Sequence, residues 1–267
     1  MERKCKDKTI SKSKFECSRD GLMIRGTEYR MEGNHLPIAI VSHGFMATRK
    51  TVKHYAKFLA KLGYAAFCFD FNGGCVFGGK SDGKTTDMSV LTEVSDLHVV
   101  IEYAKSLPYT DSENILLMGC SQGGFVSAIT AAQLNEQISK LVLFYPALCI
   151  PDDARRGKMM LAEFDPKNIP EIVKCGPMIL GRCYVADVIE MNPFEIIKNY
   201  AKDVLIVHGT ADRIVDIKYA EQAAETYRKG NAERIVDYYV IENGAHAFSK
   251  KHDRIAMMYL EEFAKGK

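Results

Sequence analysis

No apolar run in this chain approaches the ~20 residues that a bilayer-spanning helix needs, and none follows the N-terminus as the hydrophobic centre of an export signal. An excess of one charge is also missing. The 36 Lys and Arg stand against 34 Asp and Glu, a net +2, whereas proteins devoted to nucleic acid or anionic membranes concentrate positive charge to displace counterions from phosphate. Neither partner is therefore expected. Among the eight cysteines there is no Cys-x-x-Cys and no paired Cys/His spacing of the zinc-finger kind, so neither a structural metal nor a disulfide framework is indicated. Cys68, Cys120 and Cys149 lie inside or beside apolar runs, where a free thiol behaves as a small hydrophobe. The expectation is a reduced, cytoplasmic globular protein without metal or organic cofactor.

What is present fits that class. A chain of 267 residues buries roughly three quarters of its unfolded surface and needs no covalent staple. The basic N-terminal run Arg3, Lys4, Lys6, Lys8, Lys12 and Lys14 is interrupted by Glu2, Asp7 and Glu16 and reads as a solvated, frayed leader.

Short, continuous apolar runs recur at Ile38 to Val41, Ala65 to Phe69, Ile115 to Met118, Leu141 to Tyr145, Val204 to Val207 and Tyr238 to Ile241. They have the character of strands buried on both faces. Helical periods lie between them: Val52, Tyr55, Leu59 and Leu62; Val94, Leu97, Ile101 and Ala104; Ala220, Ala223, Ala224 and Tyr227. Alternation of this kind predicts an α/β fold with a mainly parallel central sheet covered by helices on both faces. Such sheets carry their chemistry at the carboxyl ends of the strands. Between Pro146 and Lys202 the rhythm stops, and five of the eight prolines fall there. A structureless loop of that length does not suit a compact domain. The division predicted is therefore a core of residues 1–147 and 199–267, interrupted by an inserted cap over residues 148–198.

Gly119-Cys120-Ser121-Gln122-Gly123 joins an apolar strand to a helix-compatible run. Glycines two places either side of a serine suit a strained elbow that lifts the hydroxyl above the sheet edge; the alternative is a turn in which Ser121 caps the helix. A serine nucleophile needs an imidazole to take its proton, and His246, in the loop after the last apolar run, is the candidate. His43 and His208, each before a glycine at a strand end, suit structural hydrogen bonds. The base needs a carboxylate to orient it, and Asp212 follows the run Val204 to Val207, with Asp216 read as a helix cap. Ser121, Asp212 and His246 occur in the chain order of α/β-hydrolases and not in that of either unrelated serine-protease type. For the oxyanion, the backbone N–H of Gln122 and that of Phe45, in His43-Gly44-Phe45, are the expected donors. The glycine-rich Asn72 to Gly79 has neither a P-loop ending nor dinucleotide spacing and reads as a loop.

With these residues assigned, the chain from about Ile38 onward resembles the bacterial feruloyl or cinnamoyl esterases of the α/β-hydrolase superfamily. The resemblance rests on His43-Gly44-Phe45, Met88 to Val94, Gly119 to Gly124, His208 to Val215 and Gly244-Ala245-His246. It implies an α/β-hydrolase fold, an inserted cap that roofs the acyl pocket, and hydrolysis of small acyl esters, hydroxycinnamoyl esters foremost. Asp153-Ala154-Arg155-Arg156-Gly157 is similar to the family's Asp-Ala-x-x-Gly segment. On that likeness Asp153 and Tyr184 would recognise a phenolic hydroxyl; the alternatives are a helix N-cap at Asp153 and a packed aromatic at Tyr184. Two departures stand out: Cys120 replaces a usual histidine, and Lys158, Met159 and Met160 replace an expected polar residue. An acyl-peptide or thioester hydrolase and a non-catalytic ligand-binding homologue are the competing readings. The partner expected is a small ester, and a homodimer is compatible with it.

Overall fold

The structure is a computed structural model that describes residues 9–230 and 234–266. Its centre is an eight-stranded sheet. Five runs read from the sequence become β3 (Leu36–Ser42), β4 (Ala65–Asp70), β5 (Thr110–Cys120), β6 (Ile138–Phe144) and β11 (Asp203–Gly209), and the sixth becomes β12 (Val236–Ile241). All six pair in parallel, in the order β4-β3-β5-β6-β11-β12. The chain is an α/β-hydrolase fold with a mainly parallel sheet.

Alternation along each strand divides its side chains between two cores. Ile38 and Ile40 of β3, Leu117 of β5 and Leu141 of β6 pack with α2 (Val90–Lys105), α3 (Gln122–Gln133) and α7 (Lys218–Gly230). Ala39 and Val41, Leu116 and Val142 face the other way, onto α1 (Arg49–Lys61) and α8 (Lys250–Lys265). Complete burial of an Ile or Val side chain contributes about 1.5–3 kcal/mol, and Ile38 to Val41 have no exposed surface at all. That is why these strands read as unbroken apolar runs.

The frayed-leader reading needs correction. Lys12 and Lys14 belong to β1 (Ser11–Arg19), which pairs antiparallel with β2 (Leu22–Arg30), and β2 pairs antiparallel with β4. Arg3, Lys4, Lys6 and Lys8 lie outside the described residues. β1 is a sheet edge on which only Phe15 is buried, so it carries almost no apolar signal, and its polar side chains are those expected on an exposed edge.

Between β6 and β11 the chain leaves the sheet. It forms α4 (Ile150–Arg155), a small hairpin of β7 (Lys158–Met159) and β8 (Ala162–Glu163), a second hairpin of β9 (Ile172–Cys175) and β10 (Met178–Gly181), then α5 (Arg182–Ala186) and α6 (Pro193–Ile197). Met159, Val173, Met178, Leu180 and Tyr184 of this inserted segment join the same hydrophobic cluster as α2 and α3. β3 lies between β4 and β5, so the chain crosses the sheet in opposite directions before and after it. Such a switch point opens a crevice beyond the strand ends.

Candidate active site

Ser121 stands between β5 and α3 with φ 55° and ψ −122°, a conformation that costs a non-glycine residue on the order of 1–3 kcal/mol. The turn closes because its flanks lack side chains. A Cβ on Gly119 would come 2.1 Å from the Gly123 carbonyl oxygen, and one on Gly123 would come 2.3 Å from that of His43. Ser121 makes no side-chain capping hydrogen bond, so helix capping is not its role. Its Oγ instead lies 3.0 Å from His246 Nε2.

His246 Nδ1 lies 2.7 Å from Asp212 Oδ2. Loops after two neighbouring strands bring this pair together, and they are tied to each other: the Ala211 N–H donates to the Gly244 carbonyl at 2.9 Å and the Asn243 N–H to Thr210 Oγ1 at 2.8 Å. Asp212 Oδ1 accepts the N–H groups of Ile214 and Val215. Its Oδ2 also lies 3.1 Å from His208 Nε2. Burial opposes ionisation of this carboxyl, but the hydrogen bonds from His208 and His246 prevail and hold it below the ordinary carboxylate range. A fixed negative charge at Nδ1 leaves Nε2 of the neutral imidazole as the acceptor that faces the serine. Asp216 Oδ1 accepts the Lys218 N–H at the start of α7 and stays out of the site.

His43 serves structure. Its Nδ1–H donates to the Gly44 carbonyl at 2.9 Å while Nε2 accepts the Phe71 N–H at 3.3 Å. Burial lowers its pKa, the Gly44 bond opposing. These bonds brace the loop that presents Phe45. Neither the Phe45 nor the Gln122 N–H is used in the turn and loop hydrogen bonds around the site, and Gln122 is the first residue of α3, where the helix dipole favours negative charge.

Among the described residues, two prominent cavities reach Ser121. One, of about 420 Å³, is bounded by Thr51, Tyr55, Cys120, Tyr145, His246 and Lys250. The other, of about 60 Å³, lies beneath the inserted segment among Ile150, Asp153, Met159, Met160, Tyr184 and Val215. Asp153 and Tyr184 thus share one wall, yet each already has a partner: Asp153 an ion pair with Arg156, Tyr184 a hydrogen bond donated to Gln122 Oε1. Asp153 lies inside α4, whose N-cap is Cys149, so it is no helix cap. Burial pushes the Cys120 thiol up to about 12, a hydrogen bond donated by the Tyr145 hydroxyl opposing, which leaves it un-nucleophilic. Glu93, inside the Met88 to Val94 motif but given no role by sequence, is fully buried and hydrogen-bonded to Gln122. Its signal was there to read, a carboxylate three residues after Val90 and four before Leu97 on the apolar face of α2.

Fold and site together define a serine hydrolase of the α/β-hydrolase class. The family model described as "Serine aminopeptidase, S33" matches residues 33–179, and the chain belongs to that family. Among solved structures it is similar to Est1E from Butyrivibrio proteoclasticus with ferulic acid bound, at 26% identity and TM-score 0.81 over 94% of this chain and 99% of that one. It shares its fold with DcsB in complex with a substrate analogue, at 22% identity and TM-score 0.74 over 96% of this chain and 98% of that one. The acylamino-acid-releasing enzyme of Homo sapiens is 26% identical over 177 residues, 64% of this chain. The chain spans only 22% of that relative's length. Among the described residues no helix is long and apolar enough to cross a membrane.

Proposed function

We propose that this chain hydrolyses carboxylic esters of small acyl groups through an acyl-enzyme on Ser121. The observation that carries the reading is the unbroken series Ser121 Oγ, His246 Nε2, His246 Nδ1 and Asp212 Oδ2, with separations of 3.0 and 2.7 Å. His246 takes the serine proton as Oγ attacks the carbonyl, and the N–H groups of Phe45 and Gln122 receive the oxyanion. The imidazolium protonates the departing alcohol. Water activated by the same imidazole then releases the acid.

The leaving oxygen has to reach His246, and His246 borders only the larger of the two cavities that touch Ser121. The alcohol is therefore assigned to the 420 Å³ cleft and the acyl group to the pocket beneath the inserted segment. Seven described cysteines, all unpaired, are in keeping with a cytoplasmic setting. The test is turnover of p-nitrophenyl acetate and butyrate. A pure protein without activity, or a Ser121→Ala variant as active as wild type, refutes the reading.

A second reading narrows the acyl group to hydroxycinnamoyl. It is favoured by the likeness to Est1E, whose structure holds ferulic acid, and by Asp153 and Tyr184 on the acyl-pocket wall. Tyr184 spends its proton on Gln122 and keeps a lone pair to accept a phenolic O–H. Faster turnover of methyl ferulate than of methyl cinnamate, lost in Asp153→Ala, supports it; equal rates remove it. Acyl-peptide amides belong in the same panel, because the triad serves any acyl transfer.

A further inference from the structure

Glu93, Gln122 and Tyr184 come from three different helices and are 1%, 1% and 2% exposed. The Gln122 side-chain amide is held at both ends. Its Nε2 donates to Glu93 Oε2 at 2.8 Å, and its Oε1 accepts the Tyr184 hydroxyl proton. One turn away the same helices meet again: Ser89, N-cap of α2, donates its hydroxyl proton to Asp187 Oδ2 at 2.5 Å. Ser89 and Glu93 are four apart on α2, and Tyr184 and Asp187 three apart at α5, so each pair shares a face. The result is a closed circuit from α2 to α3 to α5 and back to α2. The Tyr184 ring also packs at 5.9 Å from that of Phe45, so one side chain of the inserted segment touches both residues whose N–H groups are assigned to the oxyanion.

We propose that Glu93 and Tyr184 are positioning residues for the oxyanion hole: by clamping the Gln122 side chain between α2 and α5 they fix the direction of the Gln122 backbone N–H. This rests on the acyl-transfer reading of the Ser121 site and deepens it. The inserted segment then contributes to the chemical step itself as well as to acyl binding. It also gives a task to Ser89 and Glu93, two of the three polar residues of the Met88 to Val94 motif. Burial lifts the Glu93 carboxyl to about 8, the Gln122 bond pulling the other way and Asp96 adding to the rise. A neutral acid in that place can be replaced by glutamine without loss of the acceptor.

The experiment measures kcat and KM for p-nitrophenyl butyrate in Tyr184→Phe, Glu93→Leu and Glu93→Gln. Both acylation and deacylation pass through an oxyanion, so kcat reports the hole whichever step is slow. Loss of a whole oxyanion donor costs on the order of 10²- to 10³-fold, and a misdirected donor should cost less. Tyr184→Phe and Glu93→Leu are expected to lose about tenfold in kcat with KM nearly unchanged, while Glu93→Gln stays close to wild type. Wild-type kcat in both damaging variants, a loss confined to KM, or a Glu93→Gln as slow as Glu93→Leu overturns the proposal. If Glu93→Leu fails to fold, Tyr184→Phe, which deletes a single oxygen, decides alone. A wild type that turned over no ester would defeat the hydrolase reading instead. In that event the backbone amide resonance of Gln122 still tests the clamp, since Tyr184→Phe should shift or broaden it, and an unmoved resonance overturns the proposal.

Discussion

The two cavities that meet at Ser121 differ above all in size. The smaller is walled by apolar side chains of the inserted segment, Ile150, Met159 and Met160, with Asp153 and Tyr184 already engaged by Arg156 and Gln122. The larger is bounded by α1 and α8 and carries a polar wall in which Tyr55 and His54 converge on Asp253, with Lys250 one turn away. A small pocket whose polar groups are already satisfied selects by shape, whereas a cleft several times larger discriminates weakly. Acyl selectivity should therefore reside under the inserted segment, and the alcohol should matter much less.

Removing the nucleophile that both cavities reach gives the largest effect. Ser121→Ala should lower kcat/KM by about 10⁴-fold or more for every ester, whatever its acyl or alcohol part. A loss that depended on the ester would break the view that one serine serves both sides. Asp212→Asn should cost about 10⁴-fold in kcat by favouring the wrong tautomer of His246, with fluorophosphonate labelling of Ser121 slowed in parallel.

Smaller effects separate the two sides. Met159 is 4% exposed and lines only the smaller cavity. Met159→Ala should raise the hexanoyl-to-acetyl ratio of kcat/KM by about tenfold while costing about 2–5 kcal/mol in denaturant unfolding; an unchanged ratio would place the acyl group elsewhere. Lys250→Ala, on the polar wall, should change KM for a carboxylate-bearing alcohol by no more than about fivefold and leave the acyl series unaltered.

The Glu93 clamp has a signature in stability. Below about pH 4.5 its carboxyl is protonated whether the chain is folded or not. From there to about 8 the unfolded chain releases a proton that the folded one retains. Its contribution therefore falls as pH rises through that window. The Tm of wild type relative to Glu93→Gln should decline over the same range, and a constant difference would mean that Glu93 is ionised in the fold.

The parallel strands were legible because burial on both faces leaves a continuous apolar run, and the Ser121 elbow because only glycine fits at Gly119 and Gly123. β1 and β2 were not. On β1 only Phe15 is buried, and β2 owes its place to antiparallel pairing with β4, a contact between residues about forty apart. His208 was read as a hydrogen-bonding residue, and it does bond to Asp212 and to the Val215 carbonyl. Tyr184, read from resemblance as a phenol contact, proves to be engaged with Gln122, a partner 62 positions away that no local pattern could name.

Residue types, their chain order and the places where only a glycine can stand are legible along the chain, because they follow from local sterics and from the two-residue and 3.6-residue periods of burial. What faces what is a property of the folded molecule. Folding set the 3.0 and 2.7 Å spacing of Ser121, His246 and Asp212, divided the surroundings of Ser121 into a small pocket and a wide cleft with one polar wall, and closed the circuit of Glu93, Gln122 and Tyr184. These depend on side chains from distant elements meeting in space. Packing and hydrogen-bond geometry select such meetings, and no periodicity along the chain encodes them.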